Sequence, residues 1–187
     1  MKHFWLALVG IFYLGSSQAH PHVWVDSQYQ ITVDQPQVEY IQATWSFDLF
    51  TSTSLIVEYD VDANAQLSGQ EKVELIEVLS SFDQYNYFIK MVVDGYPMAP
   101  KSVDILDLGI KDQMLWVSLR IQLPKSVDLV RDTLSLAFGD DELYFAMVPL
   151  EEGLLRLSGA YAETCTLISR EAEEMAVESW VDLQCSP

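Results

Sequence analysis

The sequence predicts a mainly β chain of α+β character: an antiparallel β-sandwich-like domain interrupted by one helix–loop–helix insertion. Three observations carry that expectation. Short apolar–polar alternations recur along most of the chain, turn signals separate them, and one stretch between Phe47 and Phe88 changes from a period of two to helical spacing.

The first element is a leader. Lys2 and His3 give a polar, charged start, residues 4–14 are apolar, and Ser17-Gln18-Ala19 offers small residues for cleavage. A membrane-spanning helix needs about 20 apolar residues, so this run reads as a secretory signal over 1–19 rather than an anchor. Cleavage after Ala19 makes His20 the first residue of a single domain over 20–187 and places it in the periplasm.

Period two opens with the domain. Val23 and Val25 alternate with His22, Trp24 and Asp26, and the pattern continues through Tyr29, Ile31 and Val33 until Pro36 breaks it. A second extended run, 38–47, is rich in β-branched and aromatic residues. Leu49, Phe50, Ser54, Leu55 and Val57 then suit a short helix, and Val73, Ile76, Leu79 and Phe82 recur at helical spacing, which sets the insertion at about 48–87. Further strands are expected at 88–93, 102–108, 114–123, 133–138, 143–148 and 154–157, with turns at Asp94-Gly95 and Gly139-Asp140-Asp141. Six to eight short strands of this kind suit an antiparallel sandwich or barrel.

Charge and cysteine content narrow the partners. Acidic residues number 28 against 10 basic ones among 187, a formal charge of −18. Such a field repels phosphate backbones, which excludes nucleic acid as a partner, and concentrates divalent cations within a screening length of about 8 Å. The competing reading is that acidity only keeps a secreted protein soluble. Cys165 and Cys185 are the only cysteines, and in an oxidising compartment they are expected to pair and staple the C-terminal segment.

Inside the insertion, Asp60-Val61-Asp62-Ala63-Asn64-Ala65-Gln66-Leu67-Ser68-Gly69-Gln70-Glu71 resembles the calcium loop of an EF-hand. Asp60, Asp62 and Asn64 put side-chain oxygens at the first, third and fifth places, Gln66 offers a backbone carbonyl at the seventh, and Glu71 stands at the twelfth. The departure is Ala65 at the sixth place, where the motif wants glycine at positive φ and an L-residue costs roughly 1–2 kcal/mol. A solvated acidic turn in which Asp60 or Ser68 caps a helix is the other reading.

The chain end supplies a second donor set. After cleavage, the His20 amine and the imidazoles of His20 and His22 share one terminus, and imidazole is a common ligand for Zn, Cu and Ni. On a strand, His20, His22, Trp24 and Asp26 project to one side. Asp26, Asp48, Asp140 and Asp141 are candidate oxygen donors beside them, and Pro21 closes the amide-nitrogen route by which some termini grip copper or nickel. The bland alternative is an exposed polar terminus that happens to contain histidine.

Several blocks together, His20-Pro21-His22-Val23-Trp24-Val25-Asp26, Thr44-Trp45-Ser46-Phe47-Asp48-Leu49-Phe50, the Asp60 loop, Tyr85-Asn86-Tyr87-Phe88, Val92-Val93-Asp94-Gly95 and residues 138–146, resemble the DUF1007 family. That resemblance implies a periplasmic component labelled with ABC-type transport systems and associated with nickel, cobalt or zinc. The expected function is therefore a divalent transition-metal-binding accessory protein of a membrane metal transporter, with a weak calcium loop. Two other readings stand beside it. One is a structural or interaction protein of the envelope stabilised by calcium, and the other is copper redox chemistry at a terminus similar to the three-nitrogen site of histidine-brace proteins. No enzyme is expected, because no histidine follows His22 to serve a nucleophile and no nucleophile motif is present.

Overall fold

Side-chain alternation decides which side of each strand meets the core, and the computed structural model, which describes residues 22–187, follows it closely. The leader, its cleavage point and His20 lie outside those residues. The strands are β1 (Val23–Thr32), β2 (Gln37–Phe47), β3 (Ile89–Val93), β4 (Tyr96–Pro97), β5 (Ser102–Lys111), β6 (Met114–Asp128), β7 (Leu134–Phe138), β8 (Phe145–Pro149), β9 (Leu155–Ser158), β10 (Cys165–Glu171) and β11 (Ser179–Cys185). Helices α1 (Leu49–Tyr59) and α2 (Gly69–Ser80) and a 3-10 segment, Ser81–Phe88, separate β2 from β3. The chain is mainly β with a minor α component, arranged as two sheets.

One sheet runs β5-β6-β2-β1-β8, with β9 also against β1, and the other runs β10-β11-β7-β3-β4. Most pairs are antiparallel. The exception corrects the antiparallel expectation: β1 pairs in parallel with β8 along its first half and with β9 along its second. Where the chain swings out between β8 and β9, the buried Gln28 side chain donates to Gly153 O at 2.9 Å. Ser27, also buried, donates to Val148 O at 3.2 Å, so polar residues near the middle of β1 are satisfied.

Both sheets share one hydrophobic core. Tyr29 on β1 stacks on Phe138 of β7 at 4.0 Å and donates its hydroxyl to Ala137 O at 2.8 Å, joining the two layers. Burial pushes the Tyr29 phenol well above its ordinary pKa, which favours the protonated form that donates this bond. Trp45 on β2 packs among Phe82, Tyr87, Phe88 and Phe138. Helix α1 is tied down by the buried Ser52, whose hydroxyl donates to Phe47 O at 3.0 Å and accepts from Leu115 N–H at 2.9 Å. Helix α2 turns Leu75 and Leu79 inward, while Val73, expected on the core face, is 56% exposed. An ion pair between Lys72 and Asp107 fastens α2 to β5 and holds the Asp107 carboxyl below its usual pKa.

Several strands extend or add to the sequence expectation. β6 runs on past Leu123 through a bulge of its own around Pro124: Tyr40 pairs with Gln122 and Val38 with Val127, so residues 123–126 of β6 lie opposite the single residue Glu39. β10 and β11 form an antiparallel pair in which Cys165 lies directly opposite Cys185, and the two are joined by a disulfide. Among the described residues no helix is long and apolar enough to cross a membrane.

Two outcomes follow from these contacts. The disulfide closes a loop of 20 residues, so its reduction should lower the unfolding free energy by about 3 kcal/mol in the chain-entropy model. Urea melts with and without reductant measure it, and coincident curves would refute a stabilising role. Asp48 caps α1 and accepts N–H bonds from Thr51 at 2.8 Å and Trp24 at 3.0 Å. Burial works to raise its carboxyl pKa, but the amides of Thr51, Trp24 and Phe50 and the Thr51 hydroxyl outweigh it and hold the group below the ordinary range. The resulting stability is present above the unfolded pKa of about 3.9 and is lost as pH falls through the lower folded value. Asp48→Asn should therefore cost about 1 kcal/mol at pH 7 and progressively less in acid, as read by denaturant melts across pH.

Candidate metal centre

The loop between α1 and α2 is built by short-range bonds from its own polar side chains. Asp60 ends α1, is 8% exposed, and accepts Asn64 N–H at 3.1 Å on one oxygen and Ala65 N–H at 2.9 Å on the other. Asp62 accepts the Asn64 amide N–H at 3.2 Å and its side-chain NH2 at 2.7 Å, and the Asn64 side-chain oxygen accepts Gln66 N–H at 2.8 Å. Buried Leu67 anchors the loop to the core. Glu71, in the first turn of α2, accepts from Ser68 at 3.2 Å as half of a capping box. Its other oxygen accepts from Val61 at 2.9 Å and Asp62 at 3.4 Å, which folds the twelfth residue of the loop back over its beginning.

As a result, one carboxylate oxygen from each of Asp60, Asp62 and Glu71 lies within 4.8 Å of the others. Ala65 takes a φ of +61°, the left-handed conformation its place in the loop requires, and Ala63 takes +55°. The donors brought together are all oxygen, with the Gln66 carbonyl and Asn64 beside them in the sequence. Such a set suits a hard divalent cation of the calcium class rather than a soft one that favours nitrogen or sulfur. Capping and cation binding are not exclusive here, since Glu71 serves the first and is placed for the second.

At the chain end, His22 donates its backbone N–H to Tyr144 O at 2.8 Å, and its exposed ring sits 5.0 Å from the Tyr144 ring. Trp24 and Asp26 are exposed on the same side of β1. The other acidic candidates have backbone duties. Asp48 holds the start of α1, while Asp140 is 4% exposed and accepts N–H bonds from Glu142, Tyr144 and Phe145 at 3.0, 2.9 and 2.9 Å. Asp141 pairs with Lys90 at 2.7 Å. Among the described residues, His22, Asp26, Asp48 and Asp140 do not gather into a group of three as close as that in the loop. His20 and its amine lie outside those residues.

Sequence reasoning missed Asp140's work in placing Tyr144 against His22. The turn signal at Gly139-Asp140-Asp141 marked the position, but an aspartate that bonds several following amides has no separate sequence signature. It also missed three successive left-handed residues, Asn86, Tyr87 and Phe88, with φ of +49°, +51° and +57°. Asparagine alone among them hints at such a conformation.

No curated protein and no solved structure matches the chain. The profile described as "Protein of unknown function (DUF1007)" matches residues 5–183, nearly the full length. The chain that carries this oxygen-lined loop, with His22 just ahead of its first strand, therefore belongs to the DUF1007 family.

Proposed function

We propose that the protein is a periplasmic, non-enzymatic binder of divalent cations that serves as an accessory to a membrane metal transporter. One observation carries the cation reading: Asp60, Asp62 and Glu71, spread over twelve residues, present oxygens within 4.8 Å of each other. Calcium is the cation that this loop's chemistry fits. The second cation is nickel, cobalt, zinc or copper, held by the His20 amine and the imidazoles of His20 and His22 once the leader is removed. The secretory pattern of the leader and the Cys165–Cys185 disulfide support an oxidising compartment outside the cytoplasm. The transport role rests on the resemblance of the N-terminal block to its family.

A second reading has its own support. Phe50, Val57 and Val61 are each about four-fifths exposed and fall at helical spacing along and just beyond α1. An apolar ridge of that kind suits an interaction protein of the envelope, with calcium stabilising the helix pair that carries it.

Calorimetry should detect calcium binding with a Kd of about 10⁻⁴ to 10⁻³ M. Glu71→Gln should weaken it at least tenfold, and Ala65→Gly, which removes about 1–2 kcal/mol of left-handed strain, should tighten it. Identical binding in wild type and both variants would leave only the capping role. For the chain end, the processed protein should bind the transition metal with an affinity that falls as pH drops from about 8 to 6, because amine and imidazole protonate there. One extra residue ahead of His20, or His22→Ala, should each weaken binding substantially with the fold intact. Equal binding by the extended protein would overturn the amine-centred site.

A further inference from the structure

A cleft of about 380 Å³ opens between the 3-10 segment Ser81–Phe88 and the loop 140–145. Five aromatic rings line it: Phe82, Tyr85, Phe88, Tyr144 and Phe145. They do not form a single stack. Tyr85 lies nearly parallel to Phe88 at 5.8 Å and 10°, Phe88 lies 4.6 Å from Phe145 at 34°, Phe82 meets Phe145 edge-on at 77°, and Tyr144 is tilted 58° from Phe145. Tyr85 and Tyr144 keep 39% and 49% of their surface open.

The charged residues of the lining are both acidic, Asp140 and Glu142, and no lysine or arginine lines the cleft. Asp140 spends both oxygens on three backbone N–H groups and is buried, so it contributes a fixed negative charge rather than a free ligand atom. Glu142 makes no hydrogen bond or ion pair through its carboxylate among the described residues and is exposed at the rim. With so few oxygen donors and so much ring surface, the cleft is poorly matched to a metal ion. A diffuse cation over an aromatic face, balanced by nearby carboxylates, is the occupant this chemistry favours.

Both walls are strained and tied together. Asn86, Tyr87 and Phe88 on one side and Leu143 on the other, at φ +59°, are non-glycine residues in the left-handed region, where the Cβ crowds the following carbonyl oxygen. The walls are joined by Gly139 N–H donating to Phe88 O at 2.8 Å. Strain of this kind persists where surrounding bonds over-determine it, and it concentrates at ligand clamps.

We propose that this cleft binds a small organic cation bearing a quaternary ammonium group. The cation sits against the Tyr85 and Tyr144 rings, with Glu142 and Asp140 supplying the countercharge. The chain's net charge of −18 raises the local concentration of any such cation. The Asp60 loop takes no part in the site, but the His22 ring lies 5.0 Å from the Tyr144 ring, so the cleft is tested with metal removed.

Calorimetry on the processed protein in chelator-treated buffer tests the proposal with two probes: choline and its uncharged isostere 3,3-dimethylbutan-1-ol. Choline should bind and the alcohol should bind at least tenfold more weakly. Tyr144→Ala and Glu142→Gln should each weaken choline by roughly 2- to 30-fold. Tyr144→Phe, which keeps the ring, should restore most of the affinity, and Glu142→Gln should leave the alcohol unaffected. Thermal melts check that the variants fold. Equal binding of the two probes, no choline binding up to about 10 mM, or affinities unchanged in both weakening variants would each overturn the proposal.

Discussion

β1 is held along a single edge by two strands from the far end of the chain, and the placement of every candidate site except the Asp60 loop depends on that register. Pairing Val23 with Phe145 puts the His22 amide on Tyr144 O, and therefore the imidazole against the Tyr144 ring. On the other edge, the antiparallel match of Val25 with Phe47 brings Trp24 beside Asp48, where N–H and carboxylate together fix the start of α1. A one-residue slip would turn His22, Trp24 and Asp26 into the core and Val23 and Val25 outward, so burial enforces the register strongly. The entropy of closing such a long loop grows only logarithmically with its length, so the cost is bearable in stability and falls mainly on folding speed.

Polar groups in this protein are positioned chiefly by backbone amides. Asp48, Asp60, Asp140 and Glu71 each accept at least two N–H bonds, which fixes carboxylate direction without the entropy loss of long ion-pair partners. The difference among them lies in which oxygens are close by. Asp48, Asp140 and Glu71 each accept three hydrogen bonds, but only Glu71 also brings an oxygen within 4.8 Å of oxygens from Asp60 and Asp62.

The elements legible in the sequence were those whose burial follows a simple period. The alternation of Val23, Val25, Tyr29, Ile31 and Val33 specified β1, and the β-branched and aromatic richness of residues 38–47 specified β2. Partner choice was less legible, because a strand with a buried face reads the same whether its neighbour runs parallel or antiparallel, and only the long connection between β1 and β8 permits the former. β10 escaped notice for a different reason: from Thr166 to Glu171 every residue is exposed, so no apolar face marks it as a strand. The Asp60 loop was visible through spacing alone, since its ligand types are local in sequence. The aromatic cleft was not, because its walls come from segments far apart in the chain and its left-handed backbone is written in residues, tyrosine and phenylalanine, that do not signal such a turn.

The double engagement of Glu71 reaches beyond the loop itself. A carboxylate has about four lone-pair positions, and three are already directed at Val61, Asp62 and Ser68. An ion gripping both oxygens must loosen one of these amides, and anything that frays the first turn of α2 must in return loosen the ion. Lys72, one residue further along, carries that turn's position to Asp107 on β5. Were an ion to bind there, its presence would be transcribed into the order of a single helical turn and felt at the sheet edge beyond it.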